Sequence, residues 1–275
     1  MTSLHLQPAA SPFDAIAAGY DDVFTGSLIG HAQRSATWKE LAKAFPPGNQ
    51  VLEIGCGTGV DACFLAENGV SVLGFDSSPE MIRVAQQRVQ DRAGSFQNAS
   101  VELCAWSAER LSSLHPARTF DGAFSNFGAI NCIADLSKFA GDLASRLRPS
   151  AKLLLCVMGP CCLWEVAWYL ARGEAGRAFR RFRHGGITAT VASGTPFRVH
   201  YPTAASLAET FAPEFRLRRM TGIGLLVPPS YTESAMSRFP GFVHLAERVD
   251  GVLARCPGIR TLADHILLTF ERVAR

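Results

Sequence analysis

Five apolar runs, each followed by a turn and an amphipathic or polar stretch, set the rhythm of the chain between residues 51 and 158. The first, "VLEIG" at 51–55, is apolar on both faces, as in the middle of a parallel sheet covered by helices. A helix is predicted from Val60 to about Asn68, where Gly69 ends it, and "VSVLGFD" at 70–76 is the second strand. "SSPEMIRVAQQRVQDRA" opens with Ser78 as cap and Pro79 in the first turn, and Met81, Ile82, Ala85 and Val89 fall on one helical face. Next come a short strand near "SVELCAW", a helix or turn near "SAERLSSLH" and the strand "FDGAFSNFG". A helix over "DLSKFAGDLASRLRP" is stopped before Pro149, and "AKLLLCVM" is the fifth strand. Strand and helix in alternation, with right-handed crossovers, predict a doubly wound sheet whose ligands sit beyond the carboxyl ends of the strands.

The pattern changes at both ends. Residues 12–45 show helical spacing, with Trp38, Leu41 and Phe45 at i, i+3 and i+7, until "FPPGNQ" breaks it. After residue 160, "CCLWEVAWYLARGEAGRAFRRFRHGG" predicts two helices, and "ITATVASGTPFRVHYPT" a hairpin turning at Ser193-Gly194. "TAASLAETFAPEF" is a further helix capped by Thr203, and "FRLRRMTGIGLLVP" and "HILLTFERV" are closing strands. The expected fold is therefore α/β: a doubly wound, mostly parallel seven-stranded sheet with a helical and hairpin cap inserted after strand five. Its expected divisions are a helical lead-in at 1–45, an α/β core at 46–158, a cap at 159–202 and completion of the sheet at 203–275.

Composition narrows the picture. At 275 residues, with 48% hydrophobic and 19% charged residues, the chain can bury a sizeable core and is not disordered. A formal charge of +3 does not suggest nucleic acid as a partner. The N-terminus has neither the basic start nor the apolar stretch of a secretory signal, so the eight cysteines are expected as reduced thiols in the cytoplasm. Neither Cys56/Cys63 nor Cys161/Cys162 has zinc-ligand spacing, and no metal is expected. The apolar stretch 151–170 is interrupted by Gly159-Pro160 and carries Glu165, which fits a buried strand and a helix better than a membrane span.

Between the first strand and its helix stands Gly55-Cys56-Gly57-Thr58-Gly59, and Asp76 follows about twenty residues on. Glycine there permits a tight turn and close approach of a ligand to the backbone. The dinucleotide fingerprint would want a small third residue at Val60, whereas here the third glycine comes one position early. The GxGxG within "VLEIGCGTG", together with "FDAIAAGYDDVF", "GFDSSPEMIRVAQQR" and "FDGAFSNFGAIN", resembles the class I S-adenosylmethionine-dependent methyltransferases, in their ubiquinone-methyltransferase-like branch. The likeness runs from about Phe13 to Pro160 and in outline to the C-terminus.

That resemblance implies S-adenosylmethionine as cofactor, with S-adenosylhomocysteine as its product. By position, Glu53, Gly55, Cys56, Gly57 and Gly59 would face its methionine and ribose portion. Asp76 would accept from the ribose hydroxyls, Ser77 and Met81 would flank the adenine, and Ser107 with Ala108 would meet its edge. Many relatives carry Asp at the position of Ser107, so a hydroxyl, a backbone carbonyl or water would hold the adenine amine, and Trp106 offers a stacking face. The resemblance also places Tyr20 over the cofactor and Arg34 against its carboxylate. Asn126 and Phe127 follow strand four, beside the place where the methyl group should project.

For the acceptor the residues leave alternatives open. His31, one turn from Arg34, is either a cavity residue or a surface histidine. Asn126 is a candidate to orient an acceptor; Asn131 serves equally as a helix cap. Trp164, Trp168 and Tyr169 are either lid packing or an aromatic wall. His200 and Tyr201 are candidate bases. Arg177, Arg180, Arg181 and His184 form a solvated face, or else meet an anionic acceptor or an acidic carrier protein. The loop after strand four lacks the (D/N)PPY signature of enzymes that methylate nucleic-acid amines. The expected activity is methyl transfer to a small molecule, at an O-, N- or C-centre. Its rivals are a nicotinamide-dependent oxidoreductase and a non-catalytic binding or regulatory protein of the same fold.

Overall fold

The structure, a computed structural model, describes residues 11–115, 117–183, 185–191 and 194–274. Its centre is β1 (Gln50–Ile54), flanked in parallel by β2 (Ser71–Asp76) and β4 (Phe120–Ser125). With β3 (Val101–Ala105), β5 (Leu147–Val157), β8 (Phe215–Ile223) and β9 (His265–Arg272), the strand order is β3-β2-β1-β4-β5-β9-β8. Only β9 runs against its neighbours β5 and β8. The order reverses between β1 and β4, which opens a crevice beyond their carboxyl ends. Alternation along β1 sends Val51 to one face and Leu52 and Ile54 to the other, so each face carries its own core.

On the face reached by Val51, α1 (Leu28–Ala44) and α2 (Val60–Glu67) contribute Leu41 and Leu65; on the other, α4 (Leu136–Ala144) and α7 (Ala204–Phe211) contribute Phe139 and Phe211. α3 (Pro79–Arg92) starts as expected, the Ser78 hydroxyl accepting from the Met81 amide at 3.1 Å. Thr203 caps α7 in the same manner. The stretch 151–170 divides into the end of β5 and α5 (Leu163–Leu170), and among the described residues no helix is long and apolar enough to cross a membrane. After α5 come the single turn α6 (Ala175–Ala178) and a separate antiparallel pair, β6 (Ile187–Thr190) and β7 (Pro196–Val199). Ser193 of the expected hairpin turn and His184 of the basic stretch lie outside the described residues.

Three expectations need correction. Residues 12–45 are not one helix: a 3-10 turn at Asp14–Gly19 and a π turn at Asp21–Thr25 precede α1. The break at Ser27 is specified by capping, its hydroxyl accepting from Gly30 N while both Glu233 oxygens accept from Leu28 N and Ile29 N at 3.0 Å. The helix before β5 ends at Ala144, and β5 begins at Leu147 and runs through Pro149. A register shift against β4 lets that proline sit where no ladder bond is required. Finally, α8 (Glu233–Met236) and α9 (Pro240–Leu253) occupy a stretch between the last two strands for which the hydrophobic pattern assigned nothing. α9 buries Val243 and Ala246 against Ile29 and Ala32 of α1 but leaves Phe242, Leu245 and Val252 exposed, so its apolar positions do not form one stripe.

Candidate functional site

The floor of the crevice is the glycine turn. Gly55 N and Cys56 N donate to the Phe75 carbonyl at 2.9 and 3.0 Å, binding the exit of β1 to that of β2. Gly55, Gly57 and Gly59 all hold positive φ, at +69°, +51° and +75°, which explains three glycines in five residues. Their surroundings differ. A Cβ on Gly55 would stand 2.3 Å from the Ala129 methyl, and one on Gly59 would stand 2.9 Å from that of Ala85 on α3. Only at Gly57 would a Cβ meet nothing within 4 Å, so it alone faces open space. Asp76 fixes this turn, its Oδ2 accepting from Gly57 N and its Oδ1 from Ser78 N, both at 2.9 Å. Burial raises the Asp76 carboxyl above its ordinary range, against the lowering effect of the Ser78 and Gly57 amides.

One helical turn on, Asp61 gathers three donors. Its Oδ1 accepts from Arg34 Nη1 at 2.6 Å and Trp38 Nε1 at 2.7 Å, and its Oδ2 accepts from Asn126 Nδ2 at 2.9 Å. The Arg34 guanidinium also lies over the rings of Phe24 and Phe127, 5.4 and 5.0 Å from their centroids. Around this hub three buried polar atoms are left without a partner among the described residues: Glu53 Oε2, Asn126 Oδ1 and Arg34 Nε. Burial, and after it the charge of Asp61, pushes the Glu53 carboxyl well above its ordinary range. Unpaired groups of this kind at the carboxyl ends of β1 and β4 are where a polar ligand gains most.

Residues 13–25 form the roof. Asp21 accepts from the Thr58 hydroxyl at 2.8 Å and pairs with Arg88, while Asp14 accepts from the Ser78 hydroxyl at 2.5 Å. Both loops of the floor are thus tied to the segment above them. Phe13 meets Phe197 of β7, and Phe24 meets Phe127 edge-on, with centroids 5.1 and 5.0 Å apart. Between floor, roof and cap lies a cavity of about 400 Å³. Its cap side is largely apolar, with Phe13, Met158, Ile187, Phe197 and Val199, and the polar groups there are Tyr201 and Arg180.

Of the residues expected at the site, Tyr20, Arg34, Gly55, Cys56, Gly57, Ser77, Met81, Asn126, Phe127 and Tyr201 line this cavity. Glu53, Gly59 and Asp76 are not part of its lining: Gly59 and Asp76 are packed against or bonded to the turn as described, and Glu53 is buried on β1 just before Gly55. The edge residues are set further off. Trp106 donates to the Arg110 carbonyl at 3.0 Å, the Ser107 hydroxyl pairs with Glu109, and neither these nor Ala108 reaches the cavity. His31 is exposed on α1. Asn131 is a structural clamp, donating to the carbonyls of Met158 and His200 and accepting from Met158 N. His200 lines a neighbouring groove rather than the cavity. Trp164 donates to the Leu226 carbonyl, Trp168 carries Arg172 on its face and Tyr169 stacks on Tyr231, all three away from the cavity. The sequence pattern did not single out Asp61 and Asp21. The signal for Asp61 was an acid in the first turn of the helix that follows the glycines; nothing local marked Asp21.

Comparisons with known proteins agree on one kind of domain. Residues 51–150 match a family described as a methyltransferase domain. The demethylmenaquinone methyltransferase of Tropheryma whipplei is 27% identical over 155 residues, covering 55% of this chain and 59% of that one. The malonyl-[acyl-carrier protein] O-methyltransferase of a Paenibacillus species is 29% identical over 189 residues, covering 64% and 66%. The match to the first of these thus spans about three fifths of the relative's length. Among solved structures, the CcbJ methyltransferase of Streptomyces caelestis superimposes with a TM-score of 0.60 at 15% identity, over 96% of this chain and 99% of that one, a likeness of fold.

Proposed function

From the premise that the chain carries, over residues 51–150, a class I S-adenosylmethionine-dependent methyltransferase domain, we propose that it methylates a small molecule with a mainly apolar body under the cap. The observation that carries this reading is the glycine-floored crevice, open at Gly57 and flanked by the unpartnered Glu53 Oε2 and Asn126 Oδ1, continuous with an apolar chamber. These groups fit the cofactor: an acid and an amide oxygen await donors, and backbone free of side chains permits close approach. In this reading Gly57, Asp76, Glu53 and Asn126 hold its polar parts, Ser77 and Met81 its base, and Tyr20 covers it. When bound, S-adenosylmethionine supplies a methyl group already activated on sulfonium.

What remains for the protein is alignment and exclusion of water. Asp61 holds Asn126 and Arg34 in fixed directions, and the bonds from Thr58 and Ser78 keep the roof over the floor. Neither tyrosine on the cavity is a ready base near neutral pH. Burial raises the Tyr20 phenol despite the lowering effect of Arg34, and burial raises Tyr201 despite Arg181. Burial also raises the thiol of Cys132, which lines the same cavity, to about 11. An acceptor that reacts here therefore arrives as a competent nucleophile or ionises with help other than a strong base.

Calorimetric titration with S-adenosylmethionine tests the reading, followed by assay of S-adenosylhomocysteine release with phenols, amines and carboxylic acids. Binding that is lost in Gly57→Ala, together with turnover on one class, is expected. Preferential binding of NAD would sink it.

A further inference from the structure

We infer that Arg180 is the acceptor-recognition residue and that the acceptor carries an anionic oxygen, carboxylate or phenolate, on an otherwise apolar body; this rests on the methyltransferase reading of the same cavity. Five basic residues stand between 177 and 184, and the fold sorts the four of them that are described, Arg183 being exposed on the neighbouring groove. Arg177 turns outward, pairing with Glu174 at 2.7 Å and lying over the Tyr169 ring. Arg181 is buried and fully used: Nε donates to Glu165, Nη1 to the Asp264 carbonyl and Nη2 to the Asp264 carboxylate. Arg180 alone of the four reaches the cavity wall.

Its geometry is that of a held donor. Arg180 Nε and Nη2 bind the two oxygens of Glu165 at 2.7 and 3.1 Å, which fixes the plane of the guanidinium. Glu165 is only 1% exposed and divides its charge between Arg180 and Arg181. The Nη1 amino group of Arg180 has no protein acceptor among the described residues, while the side chain retains 31% exposure. Arg34, the other cation on the cavity, is committed to Asp61 on the opposite side. Beside the neutral Tyr201 phenol, the rest of the cap wall is Ile187, Ala189, Phe197 and Val199, which selects for apolar surface and supplies no charge to orient an acid. A fixed cation in that wall both orients an acid and favours its ionised form, which lessens the need for a base.

The test uses the full chain with saturating S-adenosylhomocysteine and two matched probe pairs: 2-naphthoate against 2-naphthamide, and 4-nitrophenolate against 4-nitroanisole. The wild type is expected to bind at least one anion about tenfold or more tightly than its neutral partner. The anion that wins tells a carboxylate from a phenolate. Arg180→Gln should abolish the preference, Arg180→Lys should retain part of it, and the surface variant Arg177→Gln should leave it intact. Equal affinities within both pairs in the wild type, or a preference that survives Arg180→Gln, would overturn the inference. A parallel titration with S-adenosylhomocysteine separates the two proposals: failure to bind it removes the methyltransferase reading, whereas binding without acid preference removes only the role of Arg180.

Discussion

The two walls of the cavity are built by different physics. The floor is a backbone structure, made of three positive-φ glycines, amides donated to Phe75 and Asp76, and helix starts within thirty residues of one another. The cap is anchored by side-chain charge, through Glu165, Arg180, Arg181 and Asp264, whose principal tie joins residues 83 apart in sequence. A backbone site is specified by local conformation and tolerates few side chains. A charge-anchored one is specified by burial and tolerates few deletions. That contrast predicts where each wall breaks.

The largest effect is expected in the cap. Arg181→Ala takes the buried guanidinium away from two buried carboxylates, leaving Glu165 to Arg180 and Asp264 to His265 and Gln33, and should cost about 3–5 kcal/mol in urea unfolding. A much smaller loss would mean that the cap is not anchored through this residue. In the floor, Gly55→Ala should destabilise by about 2–4 kcal/mol, because the new methyl collides with Ala129 at a left-handed φ. Gly57→Ala, with strain but no collision, should cost only about 1 kcal/mol in stability and show its damage in cofactor binding instead. If the two variants were equally unstable, the division of labour among the glycines would be mistaken.

Asp76→Ala should weaken S-adenosylmethionine binding by on the order of 1.5–3 kcal/mol, since it removes the carboxylate that orders Gly57 and Ser78. The smallest effect concerns pH, where the walls should respond with opposite sign. Glu53 has its folded-state pKa raised, so at neutral pH its tendency to ionise opposes folding, and the penalty fades as pH falls toward the ordinary Glu value of about 4.3. Glu53→Gln should therefore raise Tm at pH 8 and lose that advantage near pH 4. Burial alone would raise Asp264, but His265 and Arg181 outweigh it and hold the carboxyl well below the ordinary range. Its stabilisation is present above about pH 3.9 and is lost as pH falls below that, so Asp264→Asn should be the less stable protein at pH 7 and converge on the wild type in acid. Thermal melts across pH 3 to 8 check both.

Much of the floor was legible in the sequence, because its determinants lie next to one another. Gly55, Gly57 and Gly59 follow an apolar run, Ser78-Pro79 announces α3, and Asp76 closes β2. Legibility ends where the determinant is remote. The break in residues 12–45 depends on Glu233, about 205 residues away, and α9 carries too many exposed apolar residues to show a stripe. At the site, Trp164, Trp168 and Tyr169 have the composition of an aromatic wall, but Leu226, Arg172 and Tyr231 engage them elsewhere. Conversely, Phe197 and Ile187 carry no local signal of a binding wall until β6 and β7 bring them over the crevice.

By itself the sequence determined the alternation of strand and helix, the turn of glycines and the capped starts of α3 and α7, since backbone sterics and hydrophobic period act over a few residues. Tertiary structure decided which charges meet. Asp61 finds Arg34, Trp38 and Asn126 at sequence distances of 27, 23 and 65, and Arg181 finds Asp264 across 83. The physical reason is that a charge chooses its partner by distance and burial in space, and neither quantity has a period along the chain.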